Sequence, residues 1–173
     1  ARFIHQGSLF RAQPFQVVDC SEFFSDELGV ELFGCSDPSL EKPGVLREFR
    51  GGTCYLARCE EIAPSIQVRL REYIESARGE GGQEPGCSRL VFSSSTDIAS
   101  LMRAGLFDRK LFDTFSGSLL VVEPLRKRQE DLGSLVDYYA TACPRGPAAV
   151  FSPDALEALT SYPWPGNHRE LEG

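Results

Sequence analysis

The residues best suited to chemistry gather at a few places. Arg58-Cys59-Glu60-Glu61 directly follows an apolar run, so a guanidinium and two carboxylates stand at the end of a strand-like segment. Paired carboxylates are residue types that hold a divalent cation or activate water. No further ligand lies near them in sequence, however, so a metal-dependent hydrolase built on Glu60 and Glu61 lacks a ligand cluster. A second apolar run ends in the hydroxyls Ser93-Ser94-Ser95-Thr96. Six cysteines (Cys20, Cys35, Cys54, Cys59, Cys87, Cys143) and two histidines (His5, His168) complete the soft ligands. No cysteine pair has C-x-x-C spacing, and a zinc ion wants four clustered ligands. The expectation is therefore free thiols in a reducing cytoplasm, several buried as small apolar residues, and no metal site. No G-x-x-x-x-G-K phosphate loop occurs in the chain.

Positioning those residues requires a scaffold, and the pattern supplies one. Phe15–Val18, Thr53–Ala57, Arg89–Ser93 and Leu119–Val122 read as strands, the last stopped by Pro124. Helices are expected over 1–6, 22–33, 65–77, onward from Asp97, and then over 129–142, 152–161 and 165–172. Ile66, Leu70, Tyr73, Ile74 and Ala77 recur at helical spacing and form one face. Ser152-Pro153 and Pro165 are good helix openers. Strands alternate with helices up to about residue 124, and only helices follow. That pattern implies an α/β layer with a parallel sheet, then a small all-helical subdomain.

Composition narrows the function classes. The 173 residues are 42% apolar and 25% charged, an ordinary globular balance. No apolar run approaches the roughly 20 residues of a membrane-spanning helix. The opening ARFIHQGSLF lacks the features of a secretory signal, so a cytoplasmic location and no membrane partner are expected. The formal net charge of -7 repels phosphate backbones, which leaves DNA contact to a separate domain outside this chain.

Four phrases then stand in a meaningful order: Glu31-Leu32-Phe33-Gly34; Gly51-Gly52-Thr53 before a strand; Glu123-Pro124-Leu125-Arg126-Lys127-Arg128 with Glu130-Asp131; and Tyr162-Pro163-Trp164-Pro165-Gly166-Asn167-His168-Arg169-Glu170-Leu171. Together they resemble the central AAA+ domain of sigma-54-dependent transcriptional activators, whose pattern runs ELFG, GGTLFLDE, PPLRER with ED, and WPGNVREL. The resemblance covers essentially the whole chain. It implies a P-loop NTPase-like fold, with a parallel sheet sandwiched by helices over 1–125 and a helical lid over 126–173. It also implies ATP or ADP as ligand, self-association or assembly with other AAA+ subunits, a receiver or sensor domain before this one, and a helix-turn-helix domain after it. The family's helix following the phosphate loop reads roughly ARAIH, which Ala1-Arg2-Phe3-Ile4-His5 matches; the place of the loop lies before Ala1.

The resemblance also shows where the chain departs. Ala57 and Arg58 take the positions of the Asp that holds magnesium through water and the Glu that activates the attacking water, so protein-held magnesium is not expected. Ser95 takes the place of a water-orienting Asn. Asp108 and Thr114 take the places of the two arginine fingers, with Arg109 one residue out of phase, about 100° around a helix. Arg169 is retained at the second sensor position, where it would face a nucleotide's phosphates; a salt bridge to Glu172 or another acid on the lid helix is the structural alternative. Only Cys35 to Lys42 separate Gly34 from Pro43-Gly44, too little chain for the GAFTGA hairpin that touches sigma-54. Two readings follow. One is a hydrolysis-deficient AAA+ module that binds nucleotide or serves oligomerisation and regulation; the other is a working sigma-54 activator ATPase with unusual substitutions.

Overall fold

The computed structural model describes residues 1–35, 43–77, 88–142 and 151–172. They divide into two compact units, Ala1–Leu119 and Leu120–Gly173. In the first, three strands form one parallel sheet in the order β1 (Phe15–Asp19), β2 (Thr53–Ala57), β3 (Arg89–Phe92). Phe15 aligns with Thr53 and Thr53 with Arg89, so the strands begin level; β1 and β2 end together at Asp19 and Ala57, and β3 ends one residue earlier, at Phe92 opposite Leu56. The connections run through α2 (Ser25–Phe33), α3 (Val45–Glu48) and α4 (Pro64–Ala77), as parallel neighbours require. Beyond β3 lie α5 (Ile98–Arg103) and α6 (Arg109–Phe115).

Side chains alternate across the sheet. Cys54 and Leu56 point to the main core, where Val18 meets Leu28 and Leu32 of α2, Ile66 and Leu70 of α4, and Phe107 and Leu111. Leu32, Leu56, Leu70 and Leu111 are fully buried, and each such side chain contributes about 1.5–3 kcal/mol by leaving water. The opposite face, with Thr53 and Tyr55, meets α1 (Arg2–Gln6). Buried His5 shares a 2.9 Å hydrogen bond, Nδ1 to Thr53 Oγ1, and packs on Phe15. Cys20, Cys54 and Cys59 are buried free thiols, and burial pushes each up to about 12. Cys35 is exposed.

The motif phrases close backbone contacts. Gly34 ends α2 with φ 87 and pairs with Pro43 in an antiparallel bridge. A Cβ on Gly44 would fall 2.3 Å from Gly34 N, and one on Gly52 would fall 2.4 Å from Pro14 O, so only glycine fits either place. The expectation that residues 35–43 make a compact connection falls largely on residues outside those described.

The second unit holds α7 (Gln129–Ala142), α8 (Pro153–Ser161) and α9 (Asn167–Glu172) around Leu125, Leu132 and Val136. Ser152 caps α8, accepting from Ala155 N at 3.2 Å. Asn167 Oδ1 accepts from Leu125 N at 2.8 Å, joining the PLRKR and WPGN phrases. Two expectations need correction. The helix awaited from Pro165 begins at Asn167, because Trp164 and Asn167 take left-handed backbone with φ 47 and 53. Leu119–Val122 is not a strand; none of the described strands pairs with it, and its side chains are 61–74% exposed. An apolar run becomes a strand only when its N–H and C=O groups join a ladder, a condition its side-chain pattern does not reveal.

Candidate functional site at the carboxyl ends of the strands

The carboxyl ends of an open parallel sheet are where such folds bind ligands. Here Asp19, Ala57 and the Ser93–Ser95 segment converge. Asp19 ends β1 in register with Ala57. Arg58 follows with left-handed backbone, φ 54, a conformation costing roughly 1–2 kcal/mol for a residue with a Cβ. That turn sends the guanidinium back across β1. Its Nε donates to Asp19 Oδ1 at 2.7 Å, and its Nη2 donates to Oδ2. The two-pronged contact holds the Asp19 carboxyl below the usual carboxylate range and raises the guanidinium.

A second link joins β2 to β3. Glu60 lies in the 3-10 turn Cys59–Glu61. Its Oε1 accepts from Ser95 N at 3.0 Å and from Ser95 Oγ at 2.6 Å. Burial acts to raise the Glu60 carboxyl, and the Ser95 bonds outweigh it, so the group lies below its ordinary value and is ionised at neutral pH. Cys59 N donates to Ser93 O at 2.9 Å, and the Tyr55 and Ser93 hydroxyls lie 2.7 Å apart. The three strand ends are therefore tied pairwise by side chains as well as by the ladder.

Magnesium does not fit this donor set. Ala57 offers no ligand atom, Arg58 is a cation, and Asp19 is engaged by Arg58. Among the described residues no group of three or more His, Cys, Asp or Glu could hold a metal ion.

Asp108 and Thr114, expected from the resemblance to stand at the arginine-finger positions, make contacts within the fold. Asp108 caps α6, accepting from Leu111 N at 2.6 Å, and faces Arg71, whose Nη1 lies 3.2 Å from Oδ2. Thr114 Oγ1 donates to Leu111 O at 2.6 Å. Neither can supply positive charge. Arg109 is exposed at the start of α6. Behind Asp108 stands Gln67, fully buried: its Nε2 donates to Ile62 O at 2.7 Å and Leu106 O at 3.0 Å, and its Oε1 accepts from Asp108 N at 2.6 Å. Arg169 is exposed on α9 in the second unit, and no ion pair among the described residues involves it.

The structure thus brings Ala57, Arg58 and Ser95 together and places Asp108 and Thr114 along α6. Sequence reasoning missed Asp19, Glu60 as Ser95's partner, and Gln67. Asp19 carried a faint signal, an acidic residue closing an apolar run; its partner depends on strand register, which spacing does not give.

Comparison with known proteins adds the context. Residues 2–125 match the family described as "Sigma-54 interaction domain", and residues 126–173 the "AAA+ ATPase lid domain". The transcriptional regulatory protein ZraR of Escherichia coli (strain K12) is 32% identical over 184 residues, covering 99% of this chain and 42% of that protein. The response regulator protein PilR of Pseudomonas aeruginosa is 33% identical, over 99% and 41%. The structure of NtrX from Brucella abortus in complex with ADP superposes with a TM-score of 0.82 at 26% identity, covering 99% of this chain and 40% of that one; the ATP complex gives 0.79. The chain spans about two fifths of the length of these relatives.

Proposed function

The chain belongs to the sigma-54 interaction domain family of bacterial transcriptional regulators, and from that premise we propose that it is a hydrolysis-deficient AAA+ module, one that binds ADP or ATP or serves oligomerisation and regulation. The observation that carries this reading is the Asp19–Arg58 ion pair. It occupies the strand end where the family pattern has Asp-Glu, and neither Ala57 nor Arg58 supplies a metal ligand or a base there. The retained phrases agree: Gly34, Gly44, Gly52 and Asn167 all close backbone contacts, while the positions of Ala57, Arg58, Asp108 and Thr114 have lost their chemistry. An arginine finger alone is worth about 10³–10⁵ in rate. Combined loss of metal ligand, water activator and both fingers leaves no route to turnover at a useful rate.

Nucleotide binding without turnover is supported by the NtrX relative's complexes with ADP and ATP, and Arg169 is the residue proposed to meet phosphate from the lid. The proposed functional boundary of the lid is 125/126, where the two family matches meet, six residues beyond the structural division at Leu119/Leu120. With only Cys35 to Lys42 before Pro43-Gly44, the domain does not engage sigma-54. DNA contact belongs to a separate domain.

The test is steady-state phosphate release by the intact protein beside an Ala57→Asp, Arg58→Glu variant. Neither is expected to rise above background, since Asp108 and Thr114 remain. The working-ATPase alternative rests on Glu60, an ionised carboxylate beside Ser95. Turnover by the unaltered protein that Glu60→Gln abolishes would establish that alternative. Nucleotide-dependent capture of sigma-54 by the intact protein would overturn the partner reading.

A further inference from the structure

The first unit carries two exposed apolar patches of opposite charge, on opposite faces of one sheet. Resting on the oligomerisation reading above, we infer that these patches join copies of this chain head to tail, with Phe3 and Leu9 of one copy seated in a groove along α2 of the next.

Charge separates along the start of the chain. Residues 1–18 hold Arg2 and Arg11 and no carboxylate; residues 19–35 hold Asp19, Glu22, Asp26, Glu27 and Glu31 and no lysine or arginine. Arg58 engages Asp19, whereas no ion pair among the described residues involves Arg2, Arg11, Glu22 or Asp26. The fold carries the two stretches to different sides. α1 meets the sheet face that bears Thr53, through the His5 hydrogen bond. Phe10 stays on that side, its ring centroid 6.0 Å from the guanidinium of Arg89, which aligns with Thr53. α2 covers the other face, with Leu28 and Leu32 in the core beside Cys54 and Leu56.

Each side also has apolar surface to bury. On the arginine side Phe3 is 86% exposed and Leu9 wholly exposed. On the carboxylate side a groove of about 520 Å³, large enough to take the side chain of Leu9, is lined by Glu22, Phe23, Asp26, Glu27, Val30 and Glu31. Phe24 beside it is 82% exposed. An apolar centre within a charged rim is the make-up of an association surface. Either side paired with itself would set like charges together, and patches on opposite faces cannot both be satisfied by one two-fold contact. The contact is therefore heterologous and repeats from copy to copy.

The test is sedimentation velocity of the intact protein over a concentration series. Reversible self-association that weakens with added salt is expected. Arg2→Glu, Arg11→Glu makes one side acidic, and Glu22→Lys, Asp26→Lys makes the other basic. Each double variant alone is expected to associate at least about tenfold more weakly. Mixed, the two are expected to regain association, since each altered side then meets its complement. Leu9→Asp alters a wholly exposed side chain, so the fold is kept; it is expected to weaken association as well, and it carries the test if a charge-reversed variant fails to fold. Self-association that every variant leaves intact overturns this interface and leaves oligomerisation standing. Double variants that stay apart when mixed overturn it in the same way. A protein that is monomeric at every concentration removes the interface and the oligomerisation reading together, and resistance of its Leu9→Cys variant to alkylation would assign the patch to another segment of the same protein. None of these results touches the loss of hydrolysis, which phosphate release reads separately.

Discussion

Gln67→Leu is the substitution whose cost follows most directly from the structure. The side chain is fully buried and roughly matched in size by leucine, so packing changes little. What changes is three hydrogen bonds: those to Ile62 O and Leu106 O, and the one from Asp108 N. The Ile62 contact is buried, and losing it strands an acceptor at about 1–3 kcal/mol. The other two are part-buried, so water recovers some of their loss, leaving roughly 0.5 kcal/mol each. The total is about 2–4 kcal/mol. For a chain of this size that is roughly 4–16 °C in melting temperature. Urea denaturation followed by circular dichroism gives the free energy, and amide exchange at Asp108 shows whether the cap position has been released. A loss under about 1 kcal/mol, with Asp108 still protected, would refute the claim that Gln67 organises the start of α6. Gln67→Glu is expected to be worse, since a carboxylate there cannot donate to two carbonyls.

Ser95→Ala removes the hydroxyl bond to Glu60 and keeps the one from Ser95 N, so burial is offset less and the Glu60 carboxyl is expected to titrate higher; a carboxyl shift followed by NMR that stays in place would contradict this. Asp19 is held below its unfolded value of ~3.9. Its stabilising link is therefore fully present above that value and fades as pH falls through the folded pKa. Asp19→Asn should flatten the stability curve below about pH 4, and superimposable acid limbs would count against the ion pair. Asn167→Gly keeps the left-handed backbone but loses the bond from Leu125 N, while Asn167→Ala loses both. Alanine should cost more than glycine, by roughly 1 kcal/mol in thermal unfolding of the lid; the reverse order would show that backbone conformation does not matter there.

Much of the scaffold was legible because its signals are local. The three strands that pair are each an apolar run bounded by turn residues, and Asp97 and Ser152 announce their helices as caps. The apolar face of α4 was readable from spacing, but Gln67 on its flank was not, because two of its three partners, Leu106 O and Asp108 N, lie 39 and 41 residues away. Leu119–Val122 failed for the same kind of reason: its side chains read as a strand, while strandhood depends on a neighbour. At the strand ends, the sequence already showed that Ala57 has no ligand atom and that Arg58 is a cation. What Arg58 does instead required knowing that its backbone turns left-handed and that Asp19 lies level with Ala57.

The buried thiols make this domain its own clock. Cys20, Cys54 and Cys59 hold their protons up to about 12, and alkylating reagents attack the thiolate. While the sheet is closed they are doubly protected, by lack of access and by lack of charge. Exposed Cys35 is expected to react at once. The later labelling events then mark the moments when the strands part. Following alkylation of Cys20, Cys54 and Cys59 by peptide mass against time would report how often the carboxyl edge of the sheet opens, with no residue changed.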